Sequence, residues 1–306
     1  MILVLGAAGF LGKRVCRRLE ALGRPYAATS KSLGLDLRER QPTLEYFEQI
    51  KPEYVINCAA FVGGIQFGYK HPVELFRNNL LMSLNLLEAA NRSGVRRMVN
   101  PISNCAYPGA AMLFKEEEFW NGPLHESVLV YGFVRKASWV GSWAYGRQTG
   151  LDVLNLILSN MYGPEDHFEE ERSHALGALI MKMVRAKREG LPQVVVWGTG
   201  NPVREWLHVD DAVEALLRGL DAAATSEPVN VGIGRGISIR DLAVLIQKLV
   251  GYQGELLFDP ARPDGAPFKT VDGTRGLQHL GWRPERNLEQ GVAETIEWYL
   301  REQSKS

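Results

Sequence analysis

The chain opens with a strand, turn and helix that leave few folds available to the rest of it. Met1-Ile2-Leu3-Val4-Leu5 is an unbroken apolar run, the pattern of a strand buried on both faces of a parallel sheet. Glycines at three-residue spacing come next, in Gly6-Ala7-Ala8-Gly9-Phe10-Leu11-Gly12, and a helix is expected from about Lys13 to Leu22, stopped by Gly23. Glycine at those places lets the chain turn tightly and brings backbone N–H groups against a pyrophosphate at a helix N-terminus. The expectation is a central parallel strand and a dinucleotide site built by Gly6, Gly9, Phe10, Leu11 and Gly12.

At 306 residues the chain has core enough for one large or two modest domains. Lys plus Arg equals Asp plus Glu at 35 each, so no global charge recruits nucleic acid or a membrane surface. Cys16, Cys58 and Cys105 are odd in number and irregularly spaced, which gives neither a disulfide framework nor a zinc pattern and suits a reducing cytoplasm. No metal is expected. The apolar start is no secretory signal, because Lys13 and Arg14 come after it rather than before. No apolar run reaches membrane-spanning length.

Strand and helix patterns then alternate. The second strand is expected at Tyr26–Thr29, and its end reads Thr29-Ser30-Lys31. Hydroxyls and a cation without an acid favour the extra phosphate of NADP(H). Asp36 keeps NAD(H) possible, as a carboxylate for the adenosine ribose. A helix over Pro42–Ile50 leads to a third strand, Tyr54–Cys58, after which Ala59 and Ala60 are small enough for a cofactor to lie against. Phe61–Ile65 reads as a Gly-rich loop, Pro72–Ala90 as a long helix, and Val95–Asn100 and Leu151–Leu158 as buried strands. Pro228–Gly232 is expected to return to the same sheet. The fold class is therefore α/β: a Rossmann-type doubly wound parallel sheet over residues 1–160 and about 209–235, with a smaller C-terminal α/β substrate lobe from 161–208 and 236–306. That lobe is expected to hold a helix over Ser173–Glu189, a strand at Val194–Trp197, a helix over Ile239–Val250, a strand at Glu255–Phe258 and one closing helix to about Tyr299, and Asp210, in the returning segment, is expected to be a helix N-cap. The apolar faces with Phe76, Leu80 and Leu84, and with Trp139 and Trp143, suit either a homodimer or ordinary core packing.

Ser103 ends the Val95–Asn100 strand run, where open α/β sheets place ligands. Tyr131 begins a helix and Arg135 lies one turn on, on the same face, whereas Lys136 does not. A serine hydroxyl, a tyrosine hydroxyl and a cation together polarise a carbonyl and deliver a proton to it. That is the equipment for hydride transfer to a ketone.

The Gly6–Gly12 loop with the Ser103, Tyr131 and Arg135 trio resembles the extended short-chain dehydrogenase/reductase family, and the resemblance covers essentially the whole chain. It is most specific to the branch acting on GDP-linked 4-keto-6-deoxy sugars. S-N-C-A-Y-P at 103–108, N-M-Y-G-P at 160–164 with S-H-A-L at 173–176, V-V-V-W-G-T-G-N-P-V-R-E-W-L-H-V-D-D at 194–211, A-F-V-G-G-I at 60–65 and R-P-D-G at 262–265 carry it. It implies a homodimeric enzyme that epimerises such a sugar at C3, C5 or both, then reduces C4 with NADPH. By resemblance Cys105 is the base and His174 the acid of the epimerisation, Tyr131 the proton donor, Ser103 the group that polarises the ketone, and Arg135 the ribose ligand. Asp36 would meet the adenine, and Asn160, Lys182, Trp197 and Arg204 the nucleotide sugar. Three positions depart from the family: Arg135 stands for its lysine, Ala8 for an arginine and Phe61 for a lysine. The alternatives are an epimerase with little reductase activity, an enzyme for another nucleotide sugar, or a non-catalytic dinucleotide-binding protein.

Overall fold

The computed structural model describes residues 1–169 and 173–304. The first half runs β1 (Ile2–Leu5), α1 (Phe10–Ala21), β2 (Tyr26–Thr29), α2 (Arg40–Ile50), β3 (Tyr54–Asn57), α3 (Ile65–Lys70), α4 (Pro72–Arg92), β4 (Arg97–Ser103), α5 (Leu129–Thr149) and β5 (Val153–Leu158). The second half adds β6 (Asn160–Tyr162), α6 (Ala175–Glu189), β7 (Gln193–Trp197), β8 (Val203–Arg204), β9 (Trp206–His208), α7 (Val209–Gly219), β10 (Val229–Val231), β11 (Ile237–Ser238), α8 (Ile239–Val250), β12 (Glu255–Asp259), β13 (Phe268–Lys269), α9 (Thr274–Leu280) and α10 (Leu288–Gln303).

Six parallel strands form the main sheet in the order β10-β5-β4-β3-β1-β2. The chain leaves β1 in one direction for β2 and in the other for β3, so the loops after β1 and β3 part and open a crevice. Alternate residues of a strand face opposite sides. Ile2 and Val4 accordingly pack with Leu19, Leu216 and Trp282, while Leu3 and Leu5 pack on the other face with Phe47, Leu86 and Met98. A separate apolar cluster, including Ile180, Met183, Trp206, Leu242 and Ile296, supports the C-terminal elements. There β7 pairs with β12, and β8 lies between β11 and β13.

Polar side chains also cross this sheet. Asn57, Asn100 and Asn155 stand side by side on β3, β4 and β5: Asn57 Nδ2 donates to Asn100 Oδ1 at 2.9 Å and Asn100 Nδ2 to Asn155 Oδ1 at 2.8 Å. Asn100 also donates to Ser138 Oγ at 3.3 Å, and Ser142 Oγ lies 3.4 Å from Asn155 Oδ1. Buried amides are costly unless satisfied, so this ladder fixes the rotation of α5. Ser138 and Ser142 continue the helix face that carries Tyr131 and Arg135.

Several elements differ from the sequence expectation. His208, not Asp210, caps α7: its side chain accepts from the Asp210 N–H at 3.3 Å, and Asp210 lies in the first turn. The Gly-rich loop after β3 runs into α3 at Ile65. The closing helix is two, because Gly281 adopts φ 58° after α9 and Pro284 comes before α10 begins. Trp139 is half-buried against Phe119 and Trp120, leaving Trp143 as the exposed tryptophan of α5. Among the described residues no helix is long and apolar enough to cross a membrane.

Candidate active site

A cavity of about 630 Å³ runs from the first glycine loop, across the carboxyl ends of the sheet, to the C-terminal elements. Ser103, Cys105, Tyr131, Arg135 and His174 all line it, as do Gly9, Phe10, Leu11, Ala59, Ala60, Asn160, Lys182, Trp197 and Arg204. The sequence therefore scatters over more than a hundred positions what the fold brings to one chamber.

Its dinucleotide end is shaped by backbone. Gly6 turns at φ 71°, and a Cβ there would lie 2.7 Å from the Ala59 nitrogen; one on Gly12 would lie 2.2 Å from the Gly6 oxygen. Neither position tolerates a side chain, so both glycines allow the loop, α1 and β3 to meet closely. Gly9 sits at the N-cap of α1, whose first turn holds no acid, and the N–H groups of a first turn have no partner within their own helix. The positive end of the helix is thus left for an anion. Ser30, Lys31 and Asp36 lie outside the cavity, on the β2 side of the loop, where the Ala7 N–H donates to the Thr29 carbonyl at 3.0 Å. Asp36 is committed to Arg38, which donates from Nε at 2.8 Å and holds the carboxylate down at about 2, and Lys31 stands 3.8 Å away. The Arg38–Asp36 pair is not legible in the sequence, where the cation two places beyond Asp36 reads as an ordinary exposed charge.

Arg135 is buried, donates from Nη2 to Asn79 Oδ1 at 3.1 Å, and lies 4.9 Å from the Tyr131 ring centroid. Its Nε is buried and has no hydrogen-bond partner among the described residues, and the residue lines the cavity beside Tyr131. Lys136 points the other way, wedged 4.3 Å from Trp120 and 4.6 Å from Phe119 while donating to the Phe119 carbonyl. The displaced lysine therefore cannot serve the cavity. These features fit a bound nicotinamide dinucleotide.

At the other end, Ser103 Oγ accepts from the Cys105 N–H at 3.2 Å and so fixes the turn after β4. Burial by itself would push the Cys105 thiol up; the Lys269 ammonium, the Ser103 hydroxyl and Arg204 outweigh it and hold the thiol below its ordinary value. Lys269 Nζ donates to Cys105 Sγ at 3.1 Å. Sequence reasoning misses this lysine, which stands between Phe268 and Thr270 in no motif that marks it. His174 caps α6. Burial first, then Lys269 and His167, depress its imidazole to about 4, so at neutral pH it is uncharged at rest. Asp166, on the same wall, is pushed by burial up to about 7.

Trp197 lies among cations, with Lys182 Nζ 4.8 Å and the Arg262 guanidinium 5.2 Å from its ring. Arg204 already donates to the Val203 and Asp264 carbonyls, at 2.9 and 3.2 Å. Asp264 in turn accepts from the Thr199 N–H and hydroxyl, both at 2.7 Å, which joins the W-G-T-G and R-P-D-G loops. Asn160 Nδ2 donates to the Glu205 carbonyl at 3.3 Å.

Residues 2–232 match the NAD dependent epimerase/dehydratase family. The chain belongs to that family. Along almost its entire length it is similar to members of the family named as GDP-L-fucose synthases. It is 36% identical over 301 residues to probable GDP-L-fucose synthase 1 of Oryza sativa subsp. japonica, covering 98% of this chain and 92% of the relative. It is 33% identical over 314 residues to GDP-L-fucose synthase of Escherichia coli (strain K12), covering 99% and 98%. Among solved structures, a GDP-L-fucose synthetase from Naegleria fowleri bound to NADP superposes with a TM-score of 0.86 at 26% identity, over 100% of this chain and 95% of that one.

Proposed function

We propose that this member of the family epimerises a GDP-linked 4-keto-6-deoxy sugar at C3, C5 or both and then reduces it at C4. The observation that carries this reading is the convergence, in one cavity, of a lysine-paired thiol, an imidazole, and the Ser103, Tyr131 and Arg135 set. Protons on carbons beside a ketone are acidic, and inverting such a carbon needs a base on one face and an acid on the other. Cys105 is the base and His174 the acid. The anionic diphosphate favours the imidazolium, so the acid is charged when substrate is present. Ser103 and the Tyr131 hydroxyl then bond the C4 oxygen, and Tyr131 gives it a proton. NADPH supplies the hydride when bound. Its diphosphate belongs at Gly9–Leu11, its ribose at Arg135 and its extra phosphate near Ser30, Lys31 and Arg38, where Asp36 is already neutralised. Trp197 and Lys182 hold the base and Arg204 the diphosphate of the sugar nucleotide. The division into residues 1–160 with 209–235 for the dinucleotide and 161–208 with 236–306 for the sugar belongs to the same reading.

The test is incubation with GDP-4-keto-6-deoxymannose in deuterated water, with NADPH, NADH or neither, read by mass spectrometry and NMR. Deuterium gain without cofactor, followed by consumption of NADPH in preference to NADH, is expected. Absence of both signals would reject the GDP-sugar assignment.

Arg135 is adapted to its place rather than an impairment, because its fork holds Asn79 while a further donor remains for the cofactor. Arg135→Lys cannot do both. It is expected to slow C4 reduction about tenfold, equivalent to about 1.4 kcal/mol of barrier. A hundredfold acceleration in single-turnover NADPH oxidation would contradict this.

The outer side of α4 and α5 exposes Val73, Phe76, Phe133, Val140 and Trp143, with Phe76 and Phe133 stacked at 6.2 Å. We read this surface as the contact with a second copy. Sedimentation equilibrium is expected to give a dimer that Phe133→Glu shifts toward monomer; a monomeric native protein at micromolar concentration would refute it.

A further inference from the structure

We propose that Lys269 is the positioning residue that keeps Cys105 as a thiolate in the resting protein, an ammonium 3.1 Å from the sulfur and supplied by a different part of the chain. The catalytic consequence rests on the epimerase reading above, but the ion pair itself does not. Lys269 is the last residue of β13, in register with Arg204 on β8, so two cations stand side by side above Cys105. Backbone bonds set this register: the Val203 N–H donates to the Pro267 carbonyl at 2.8 Å and the Glu205 N–H to the Lys269 carbonyl at 3.0 Å. Both side chains are buried.

A buried ammonium needs an anion. Among the described residues no carboxylate comes within ion-pair distance of Lys269, and its hydrogen-bond acceptor is the sulfur. The other ionisable groups around the pair are engaged elsewhere or uncharged. His174 and His125 are neutral imidazoles lowered by burial and by Lys269 itself; the Asp264 carboxylate is held by Thr199 and its field falls on Arg204, and the Glu205 carboxylate is held by the Val271 and Ile233 N–H groups and the Ser159 hydroxyl. Ser103 is a neutral hydroxyl. The sulfur is the group that balances the ammonium.

The arrangement serves both halves of an inversion. The base starts ionised and needs no other residue to take its proton. Once Cys105 has accepted a proton from the substrate carbon, Lys269 faces a neutral thiol, and its uncompensated charge makes the His174 imidazolium a stronger acid. Proton uptake on one face thus favours proton delivery on the other, and protons balance over the step.

The experiment is the pH dependence of Cys105 alkylation by iodoacetamide in the intact protein without substrate, with the modified peptide identified by mass spectrometry. Cys16 and Cys58 are raised by burial and do not compete near neutrality. The native midpoint is expected below the ordinary thiol value of about 8.5. Lys269→Met should move it up by at least one pH unit and cut solvent-deuterium exchange into the GDP-sugar at pH 7 about tenfold, while Lys269→Arg keeps the low midpoint. A native midpoint at or above the ordinary value would overturn the proposal even if Lys269→Met fails to fold, and so would coincident native and Met profiles. A low, lysine-dependent midpoint with no exchange on any GDP-sugar would uphold the ion pair and count against the epimerase reading.

Discussion

Cys105→Ala is expected to lower solvent-deuterium incorporation into the sugar by about 10²- to 10⁴-fold, the usual weight of a general base, while NADPH is still consumed on the uninverted ketone. The separation arises because the thiol has no part in delivering hydride or in protonating the C4 oxygen. Exchange in the native protein should also fall as the pH drops through the Cys105 value. The thiol is held below its ordinary value, so the base is present above that point and is lost by protonation beneath it. NMR of the recovered sugar measures both effects. Native-rate exchange by the alanine variant would remove Cys105 from the mechanism.

Tyr131→Phe should do the reverse. Removing one hydroxyl leaves the ring under Arg135 and the α5 face intact, so the fold and the cofactor site persist. Stopped-flow NADPH oxidation is expected to slow by about 10²- to 10⁴-fold for loss of the general acid, with deuterium exchange retained. Undiminished reduction would mean that another group protonates the C4 oxygen. Together the two variants divide one cavity into two chemistries.

Much of this is legible from the chain alone, for physical reasons. A strand buried on both faces is largely apolar, so β1, β3 and β5 announce themselves. The first glycine loop is readable because neither Gly6 nor Gly12 tolerates a Cβ. Ser103, Cys105 and Tyr131 stand in local motifs. What escapes depends on partners distant in sequence. Lys269 becomes meaningful only when β13 is laid beside β8, and the asparagines of β3, β4 and β5 look like interruptions until they are seen in one row. Residue preference points to Asp210 as a cap; His208, a poorer capper by type, wins because burial beside Tyr162 places its ring at the helix start. The acidity of His174 is the least predictable quantity, since it is set by burial and by the field of a lysine almost a hundred residues away.

Glu205 has a consequence for how substrate reaches the chemistry. This fully buried carboxylate accepts from the Val271 N–H at 2.8 Å, the Ile233 N–H at 2.5 Å and the Ser159 hydroxyl. One side chain thereby knots the ends of β5, β10 and β13 together beneath the cavity. Elements tied at that point cannot swing apart without breaking buried charge-assisted bonds, each worth roughly 1.5–3 kcal/mol. The floor on which Cys105 and Lys269 meet is therefore a fixed anvil, and the motions that admit a sugar nucleotide belong to the rim.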